Sequence, residues 1–238
     1  MNKLEIHHFE STDSVLDRLK EYATLGKNCL CIADEQTSGR GTKGRSFFSG
    51  KGCGAYFGLL YFPSFDQRLY HLVTPAAAVS VSTASDELCG IKTEIKWVND
   101  VYYSGKKVCG ILTESGENDF GKYLIIGIGI NLSEPKCGYP EDIKNKAGFL
   151  PGNIDRDKIV NAVADKLIDY LDNIDKRTFV DAYVKKNYLL YKKVAFVSGN
   201  ISGKGIVRGF DDELRIVILT ENGKITLGSG EVTLDENN

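Results

Sequence analysis

Three glycines and three basic residues lie together in one short segment, residues 39–45, which reads Gly-Arg-Gly-Thr-Lys-Gly-Arg. Glycine can adopt a positive φ and lets the backbone approach a ligand closely, so N–H groups in such a segment can face phosphate oxygens. Arg40, Lys43 and Arg45 would supply the positive charge that balances the phosphate. The segment predicts a site for a nucleotide or an acyl phosphate, although the same composition also suits a plain surface turn.

Two other glycine-rich sites fit the chain poorly. The spacing Gly39-x-Gly41-x-x-Gly44 matches the dinucleotide-binding fingerprint, but that fingerprint needs a helix directly after the loop, and residues 47–52 do not begin one. Residues 119–121 read Asp-Phe-Gly, as in protein kinases, which also need a His-Arg-Asp catalytic loop. None of the three histidines is followed by Arg-Asp, so we exclude a kinase.

The composition is that of an ordinary globular protein. The chain has 238 residues, of which 42% are hydrophobic and 26% charged, with a formal net charge of −2. This length suits one sizeable core and a small appended domain. The near-neutral balance predicts no broad electrostatic surface for nucleic acid or an anionic membrane. We find neither a secretory signal nor an apolar stretch of about 18 residues, and therefore expect a cytoplasmic protein.

The six cysteines are scattered and lack the paired spacing of a metal site. We expect reduced, buried thiols. In particular, we expect Cys29 and Cys31 to point to opposite faces of one strand, so that they do not converge.

The hydrophobic periodicity predicts an α+β fold with a mixed sheet of at least five strands and helices on one face. The first helix should begin near a cap among Ser11, Thr12, Asp13 and Ser14 and end at about residue 25. The second should have Thr74 as its N-cap and Pro75 in its first position, and should end before Gly90. The predicted strands cover residues 4–9, 28–33, 55–62, 93 onward, 101–103, 107–114 and 123–131, with a hairpin turn at residues 104–105.

The second half of the chain changes character twice. Residues 135–152 are rich in Gly, Pro, Lys and Asn and show no periodicity, which predicts a long loop of the kind that is often mobile. Amphipathic helices are predicted at residues 157–171 and 177–190. Five short strands separated by glycine turns then predict a small β-barrel, at residues 194–197, 205–210, 215–220, 224–227 and 231–234.

Five separated segments, taken in order, resemble those of biotin protein ligases, and they cover the chain from the first helix to Asn131. They are Glu-Ser-Thr-Asp at 10–13, Gln-Thr-Ser-Gly-Arg-Gly at 36–41 continuing to Arg45, Lys-Trp-Val-Asn-Asp at 96–100, Lys-Val-Cys-Gly-Ile-Leu-Thr-Glu at 107–114, and Gly-Ile-Gly-Ile-Asn at 127–131. The C-terminal strands resemble the family's SH3-like module. The likeness is to the short form without an N-terminal DNA-binding domain, because only ten residues precede Ser11.

The resemblance implies a catalytic domain of the class II aminoacyl-tRNA-synthetase-like type at residues 1–190 and an SH3-like domain at residues 191–238. It implies an enzyme that joins the biotin carboxylate to ATP, releases pyrophosphate, and transfers biotin from biotinyl-5′-AMP to one lysine of a carrier domain. The partner would be the biotin carboxyl carrier protein or domain of a biotin-dependent carboxylase or decarboxylase, with no nucleic acid or membrane. ATP, biotin and Mg²⁺ would be needed, and the ligase would be a monomer or a homodimer.

The matching positions imply the site residues. Lys107 and Arg40 would be the catalytic cations, because the attack of one anion on another needs fixed positive charge at the reacting oxygens. Asp100 would bind Mg²⁺. The biotin-binding set would be Ser11, Thr12, Asp13, Gln36, Arg40, Gly41, Thr42, Lys107 and Gly110. The nucleotide-binding set would be Arg40, Gly41, Thr42, Lys43, Arg45, Phe47, Lys96, Asn99 and Asn131.

Four positions depart from the family pattern. Thr42 stands where the family often has arginine, which could loosen retention of the adenylate, and Phe47 stands where it often has tryptophan. Val98 replaces the usual proline, and Asp13 replaces asparagine.

Lipoate ligation and octanoyl transfer are the nearest alternatives, since both occur on a similar fold. The chain lacks the lipoate ligases' Arg-Arg-x-Ser-Gly-Gly-Gly run, and only Cys109 near Lys107 resembles the Cys–Lys arrangement of octanoyl transferases. An inactive biotin-binding module is a third reading, against which the presence of Arg40, Lys107 and Asn131 argues.

Overall fold

The computed structural model describes residues 4–235, which form two β-sheets and four α-helices. The helices are α1 (Val15–Tyr22), α2 (Val73–Cys89), α3 (Arg156–Asp172) and α4 (Val180–Lys185). The strands of the large sheet are β1 (Glu5–Phe9), β2 (Cys29–Ala33), β3 (Gly54–Tyr61), β4 (Glu94–Lys96), β5 (Asp100–Tyr103), β6 (Lys106–Asn118) and β7 (Gly121–Asn131). Those of the C-terminal sheet are β8 (Lys193–Ser198), β9 (Ile201–Phe210), β10 (Ile216–Thr220), β11 (Gly223–Leu227) and β12 (Glu231–Leu234).

Within residues 4–235 the large sheet has the strand order β1-β2-β3-β7-β6-β5-β4, in which β1 pairs with β2 in parallel and the other pairs are antiparallel. The mixed sheet and the α+β class are therefore confirmed. The predicted hairpin turn between β5 and β6 is also confirmed. Ser104 and Gly105 both have positive φ, 49° and 76°, which matches the twist of a two-residue hairpin.

Helices cover both faces of the large sheet, so the prediction of helices on one face was wrong. On β2, Leu30 and Ile32 belong to the core under α2 and α3, whereas Cys29 and Cys31 belong to the smaller core under α1. Their placement also corrects the expectation for the two cysteines. Side chains repeat every second residue along a strand, so residues 29 and 31 point to the same face.

The start of α1 matches a predicted cap, but the start of α2 does not. Ser14, one of the four candidates, caps α1 by accepting a hydrogen bond from the Leu16 N–H. The helix α2 begins at Val73 and follows directly from a 3₁₀ turn, Gln67–Leu72, so neither Thr74 nor Pro75 has its expected position. Instead, the Thr74 hydroxyl donates to Oγ1 of Thr113 in β6 at 3.0 Å. The predicted end of α2 at Gly90, with φ 65°, is confirmed.

The helix α3 matches its prediction, but the helix predicted for residues 177–190 is much shorter, because α4 ends at Lys185. The chain leaves the helix here to pair with the edge strand β4. The Ile95 N–H donates to the Lys186 carbonyl at 2.8 Å, and the Tyr188 N–H donates to the Ile95 carbonyl at 2.7 Å. These bonds replace the helical ones that the periodicity predicted.

The C-terminal strands form an antiparallel sheet of five in the described part of the chain, in the order β11-β10-β9-β8-β12. Its inner residues, including Val194 and Phe196, belong to the same core as α2 and α3. Indole Nε1 of Trp97 donates to the Leu214 carbonyl at 3.2 Å, which joins the two sheets. The division at residue 190 stays a prediction, and residues 1–3 and 236–238 of the two ranges lie outside the described part. No helix among residues 4–235 is long and apolar enough to cross a membrane.

Candidate active site

The basic glycine segment folds as a small hairpin that closes on itself. The Gly41 N–H donates to the Arg45 carbonyl at 2.7 Å, and the Phe47 N–H donates to the Gly39 carbonyl at 2.8 Å. Positive φ at Lys43 (59°) and Gly44 (72°) turns the chain at the tip. The Gly41 amide, which we expected to face a ligand, is thus used inside the loop. In this conformation the Gly41 amide is therefore not free to bind an anion.

Glycines line the side of the large sheet that faces α1. A methyl group at position 127 would lie 2.6 Å from Cδ2 of Leu16, and one at position 58 would lie 2.6 Å from Cδ1 of Leu19. Only glycine lets α1 approach the sheet this closely. The two glycines are also partners in the β3–β7 register. Residue 127 lies within one of the matching segments, but its sequence context predicted no role for it, and nothing there marked Gly58.

Phe47 lies on the continuation of this glycine surface. A methyl group at position 129 would be 2.3 Å from Cε1 of Phe47, and one at position 110 would be 3.0 Å from Cε2. Gly110 and Gly129 are register partners on β6 and β7. The ring therefore packs flat against two adjacent strands that carry no side chain at that point. Gly129 was not among the predicted site residues, although alternation of glycine with isoleucine is the signal that marks it.

Lys107 meets Phe47 over Gly110. A methyl group at position 110 would lie 3.2 Å from Nζ of Lys107, and the same Nζ is 2.6 Å from Oδ1 of Asp100. Lys96 is the register partner of Asp100 in the β4–β5 hairpin, and burial lowers the pKa of its ammonium. Three predicted polar residues, Lys96, Asp100 and Lys107, are thus brought together with Phe47 and Gly110.

Asp100 is the predicted metal ligand, and an ammonium group occupies its Oδ1. In residues 4–235 no cluster of three or more His, Cys, Asp or Glu side chains could enclose a metal ion. Mg²⁺ keeps several waters and commonly binds through one or two carboxylates together with substrate phosphates. A single carboxylate at the edge of the cleft fits that mode of binding, and it does not fit a closed protein site.

Arg40 forms ion pairs that the sequence did not predict. Its Nη2 is 2.6 Å from Oδ1 of Asp17 in the first turn of α1, and its Nη1 is 3.9 Å from Oε1 of Glu114 on β6. Nζ of Lys20 lies 2.8 Å from the other oxygen of Glu114. Glu114 belongs to a segment that the resemblance matched, but we assigned it no role. Nothing in the sequence marked Asp17.

The C-terminal sheet reaches the same hairpin. Nη2 of Arg45 is 2.6 Å from Oε2 of Glu231 on β12, and this hydrogen bond lowers the pKa of the Glu231 carboxyl. The two residues are 186 positions apart in the sequence, so no local pattern could have paired them. Lys43 and Thr42 lie at the tip of the hairpin, where Lys43 is exposed.

The residues predicted to read the biotin ring form a second group beside α1. Thr12 and Gln36 are joined by a β-bridge, and Ser11 is exposed. Gln36 already makes two hydrogen bonds: its Oε1 accepts from the Val15 N–H at 2.9 Å, and its Nε2 donates to Oγ of Ser49 at 2.8 Å. Gln36 therefore fixes the start of α1 in the ligand-free chain.

Asp13 has a structural role in the same group. Its carboxylate accepts hydrogen bonds from the Ser14 N–H and the Thr12 hydroxyl and pairs with Arg18 at 3.1 Å. These interactions, with the Ser14 bond first, lower the pKa of the Asp13 carboxyl from 3.8 to about 2. The residue thus stays charged through the neutral range.

The two predicted asparagines join elements of the site. Nδ2 of Asn99 donates to the Ile111 carbonyl at 2.8 Å, which closes the turn between β4 and β5 onto β6. Nδ2 of Asn131, a residue only 8% exposed, donates to the Gly148 carbonyl at 2.8 Å. The Gly148 N–H in turn donates to the Lys107 carbonyl. Residues 135–152 contain no helix or strand, as predicted. These hydrogen bonds hold the final third of the segment beside Lys107.

Known proteins resemble this chain over most of its length. Residues 7–131 match the model of the biotin/lipoate A/B protein ligase family. The bifunctional ligase/repressor BirA of Bacillus spizizenii is 31% identical over 216 residues, which is 86% of this chain and 66% of that protein. The biotin–[acetyl-CoA-carboxylase] ligase of Paracoccus denitrificans is 26% identical over 93% of this chain and 97% of its own length. The chain spans less than two thirds of the length of the curated Bacillus relatives that it matches.

A solved structure gives the same result for the fold. The biotin protein ligase from Aquifex aeolicus in complex with biotin and ATP superposes with a TM-score of 0.82 and 30% sequence identity, covering 97% of this chain and 98% of that one. The likeness extends over both sheets. The matched family model covers more than half of the residues, from β1 to the end of β7. The chain belongs to the biotin/lipoate A/B protein ligase family.

Proposed function

We propose that this protein is an ATP-dependent biotin protein ligase. Its first reaction would join the biotin carboxylate to the α-phosphate of ATP, forming the mixed anhydride biotinyl-5′-AMP as the bond to pyrophosphate breaks. In the second, a lysine amine of a carrier domain would attack the biotinyl carbonyl, and AMP would leave. The observation that supports this most directly is the meeting of Lys107 and Phe47 over Gly110, beside the hairpin that carries Arg40.

Electrostatics explains why such a reaction needs this kind of site. A carboxylate and a phosphate repel each other, and negative charge accumulates at the phosphoryl oxygens as the new bond forms. Lys107 and Arg40 would place fixed positive charge at those oxygens. In the ligand-free chain each cation has a carboxylate partner, Asp100 and Asp17 respectively. Substrate oxygens would take the place of Asp100 at Nζ of Lys107.

The other predicted residues would orient the two substrates. Ser11, Thr12 and Gln36 are neutral donors and acceptors suited to the ureido ring of biotin. Phe47 would cover the adenine, Asn131 would bond the adenosine, and Lys43, Arg45 and Lys96 would face the phosphates. Mg²⁺ bound through Asp100 and the phosphates would neutralise part of the phosphate charge. Gly110 leaves room on the sheet for the ring of Phe47 and for the side chain of Lys107.

The partner would be a biotin carboxyl carrier domain of a carboxylase or decarboxylase, as the name of the Paracoccus relative supports. We place the reaction in the cytoplasm and leave the enzyme as a monomer or a homodimer. Residues 1–190 would form the catalytic domain and residues 191–238 the SH3-like domain. The pair Arg45–Glu231 supports a direct part for the second domain in shaping the site of the first.

Exchange of labelled pyrophosphate into ATP tests the first half-reaction. We expect exchange that depends on biotin and Mg²⁺ and is absent with lipoate or octanoate. The family model covers both biotin and lipoate ligases, so lipoate is the informative comparison. Exchange with lipoate alone would contradict the proposal, and so would the absence of exchange with every acid.

A further inference from the structure

The guanidinium of Arg40 lies between carboxylates on two elements, the helix α1 and the strand β6. Asp17 contacts it from α1 at 2.6 Å, and Glu114 lies at 3.9 Å on β6. The two carboxylates lie near different terminal nitrogens: Asp17 accepts a hydrogen bond from Nη2, and Glu114 is an ion-pair partner of Nη1. A planar group that is attracted at both ends by acceptors on two elements has little freedom to rotate. Asp17 makes the shorter contact and is therefore the stronger restraint.

The pairing leaves donors of Arg40 unused. A guanidinium has five N–H groups, and Asp17 and Glu114 engage at most one each in these contacts. Its Nε is buried and has no hydrogen-bond partner among residues 4–235. A buried donor without an acceptor is unfavourable, so an oxygen supplied by a ligand would stabilise this arrangement.

The position of Lys20 distinguishes the two carboxylates, Asp17 and Glu114, as partners of Arg40. Its Nζ is 2.8 Å from Oε2 of Glu114, which is closer than Arg40 is to the same side chain. Glu114 thus divides its charge between two cations, whereas the only ion pair of Asp17 in the described chain is with Arg40. The orientation of Arg40 depends chiefly on Asp17.

We propose that Asp17 is a positioning residue that orients the Arg40 guanidinium for the activation of biotin. This inference rests on the proposed function and deepens it. Asp17 touches no substrate in the proposal; it acts only through Arg40. Its loss would leave the charge of Arg40 in place but would free the side chain to rotate, so that turnover would fall more than substrate affinity.

A double-mutant cycle measured by biotin-dependent pyrophosphate exchange tests this proposal. We expect Asp17→Asn to lower kcat at least tenfold with a change in KM of less than threefold, and Asp17→Glu to restore most of the loss. In the Arg40→Ala background, Asp17→Asn should have no further effect. Glu21→Gln is the matched control, because Glu21 is on the same helix and, among residues 4–235, its carboxylate pairs only with Arg18, at 2.9 Å; it should leave kcat unchanged.

Three results would overturn the inference. The first is a kcat for Asp17→Asn within twofold of wild type. The second is an unchanged effect of Asp17→Asn in the Arg40→Ala background, which would show a general structural role. The third is an increase in kcat/KM, which would show that Asp17 competes with the substrate for Arg40. In each case wild-type exchange remains, whereas failure of the proposed function would remove the wild-type exchange itself.

Discussion

Replacing Gly129 with alanine tests whether the ring of Phe47 packs against the sheet as closely as the structure indicates. The added methyl carbon would lie 2.3 Å from Cε1, 2.7 Å from Cζ and 3.0 Å from Cδ1 of the ring. Carbon atoms in contact are ordinarily about 3.5–4.0 Å apart. The ring would have to retreat by roughly 1 Å or more, and it would lose its contact with Gly110.

The expected cost follows from overpacking. Extra methyl groups forced into packed sites destabilise proteins by about 1–3 kcal/mol. For a protein of this size each kcal/mol lowers Tm by about 2–4 °C, so thermal denaturation should show a fall of roughly 2–12 °C. Because Phe47 is the proposed cover of the adenine, KM for ATP should also rise more than KM for biotin.

A second substitution identifies the colliding group. Phe47→Leu removes the ring atoms that meet the new methyl, so it should cost much less stability in the Gly129→Ala background than in wild type. Gly228→Ala is the control, because Gly228 is exposed and the nearest atom to its added methyl is 3.4 Å away; its Tm should not change. A wild-type Tm for Gly129→Ala, or strictly additive losses in the double variant, would refute the reasoning.

Three further predictions concern charge and flexibility. Lys107→Ala and Arg40→Ala should each lower biotin-dependent pyrophosphate exchange by about 10²–10³-fold, since each removes a preorganised donor, while circular dichroism stays unchanged; normal exchange in both would contradict the assignment. The folded-state pKa of Asp13, about 2, is depressed, so its stabilisation is present above about pH 4 and is lost as the pH falls towards 2. Asp13→Asn should therefore lower the free energy of unfolding measured by urea denaturation slightly at pH 7, by less than about 1 kcal/mol because the side chain is half exposed, and should leave it unchanged once the pH is below 2. Residues 39–47 and 135–145 should become more resistant to protease when biotin and Mg-ATP bind, and equal cleavage with and without ligands would count against this.

Much of the fold could be predicted because local patterns determine it. Alternation of apolar residues predicted the strands of the large sheet, and Ser104-Gly105 predicted the hairpin turn. The errors arose where tertiary contacts override local patterns. The periodicity of residues 177–190 is helical, yet pairing of Tyr188 with Ile95 ends the helix early. A sheet covered on both faces gives continuous apolar runs, so the position of α1 on the opposite face from α2 was not evident.

The candidate site could likewise be predicted where short sequence segments determine it, and could not where contacts between distant residues do. The convergence of Lys107, Asp100 and Phe47 was expected from matching segments, and the structure brings them together around Gly110. Asp17 and Glu231 were not foreseen, because each pairs with an arginine that is distant in the sequence. Ion pairs between distant residues leave no periodic or compositional signal. The hydrogen bonds of Gln36 to Val15 and Ser49 were missed for the same reason.

The central claim is that this chain activates biotin with ATP and transfers it to a carrier lysine. Its most direct test is the intact mass of a purified biotin carboxyl carrier domain after incubation with this protein, biotin and Mg-ATP. The account predicts the addition of one biotinyl group to wild-type carrier and none when the acceptor lysine is replaced by arginine. An unchanged mass of the wild-type carrier after incubation with the wild-type protein would contradict it, and so would the same mass increase with Lys107→Ala as with the wild-type protein.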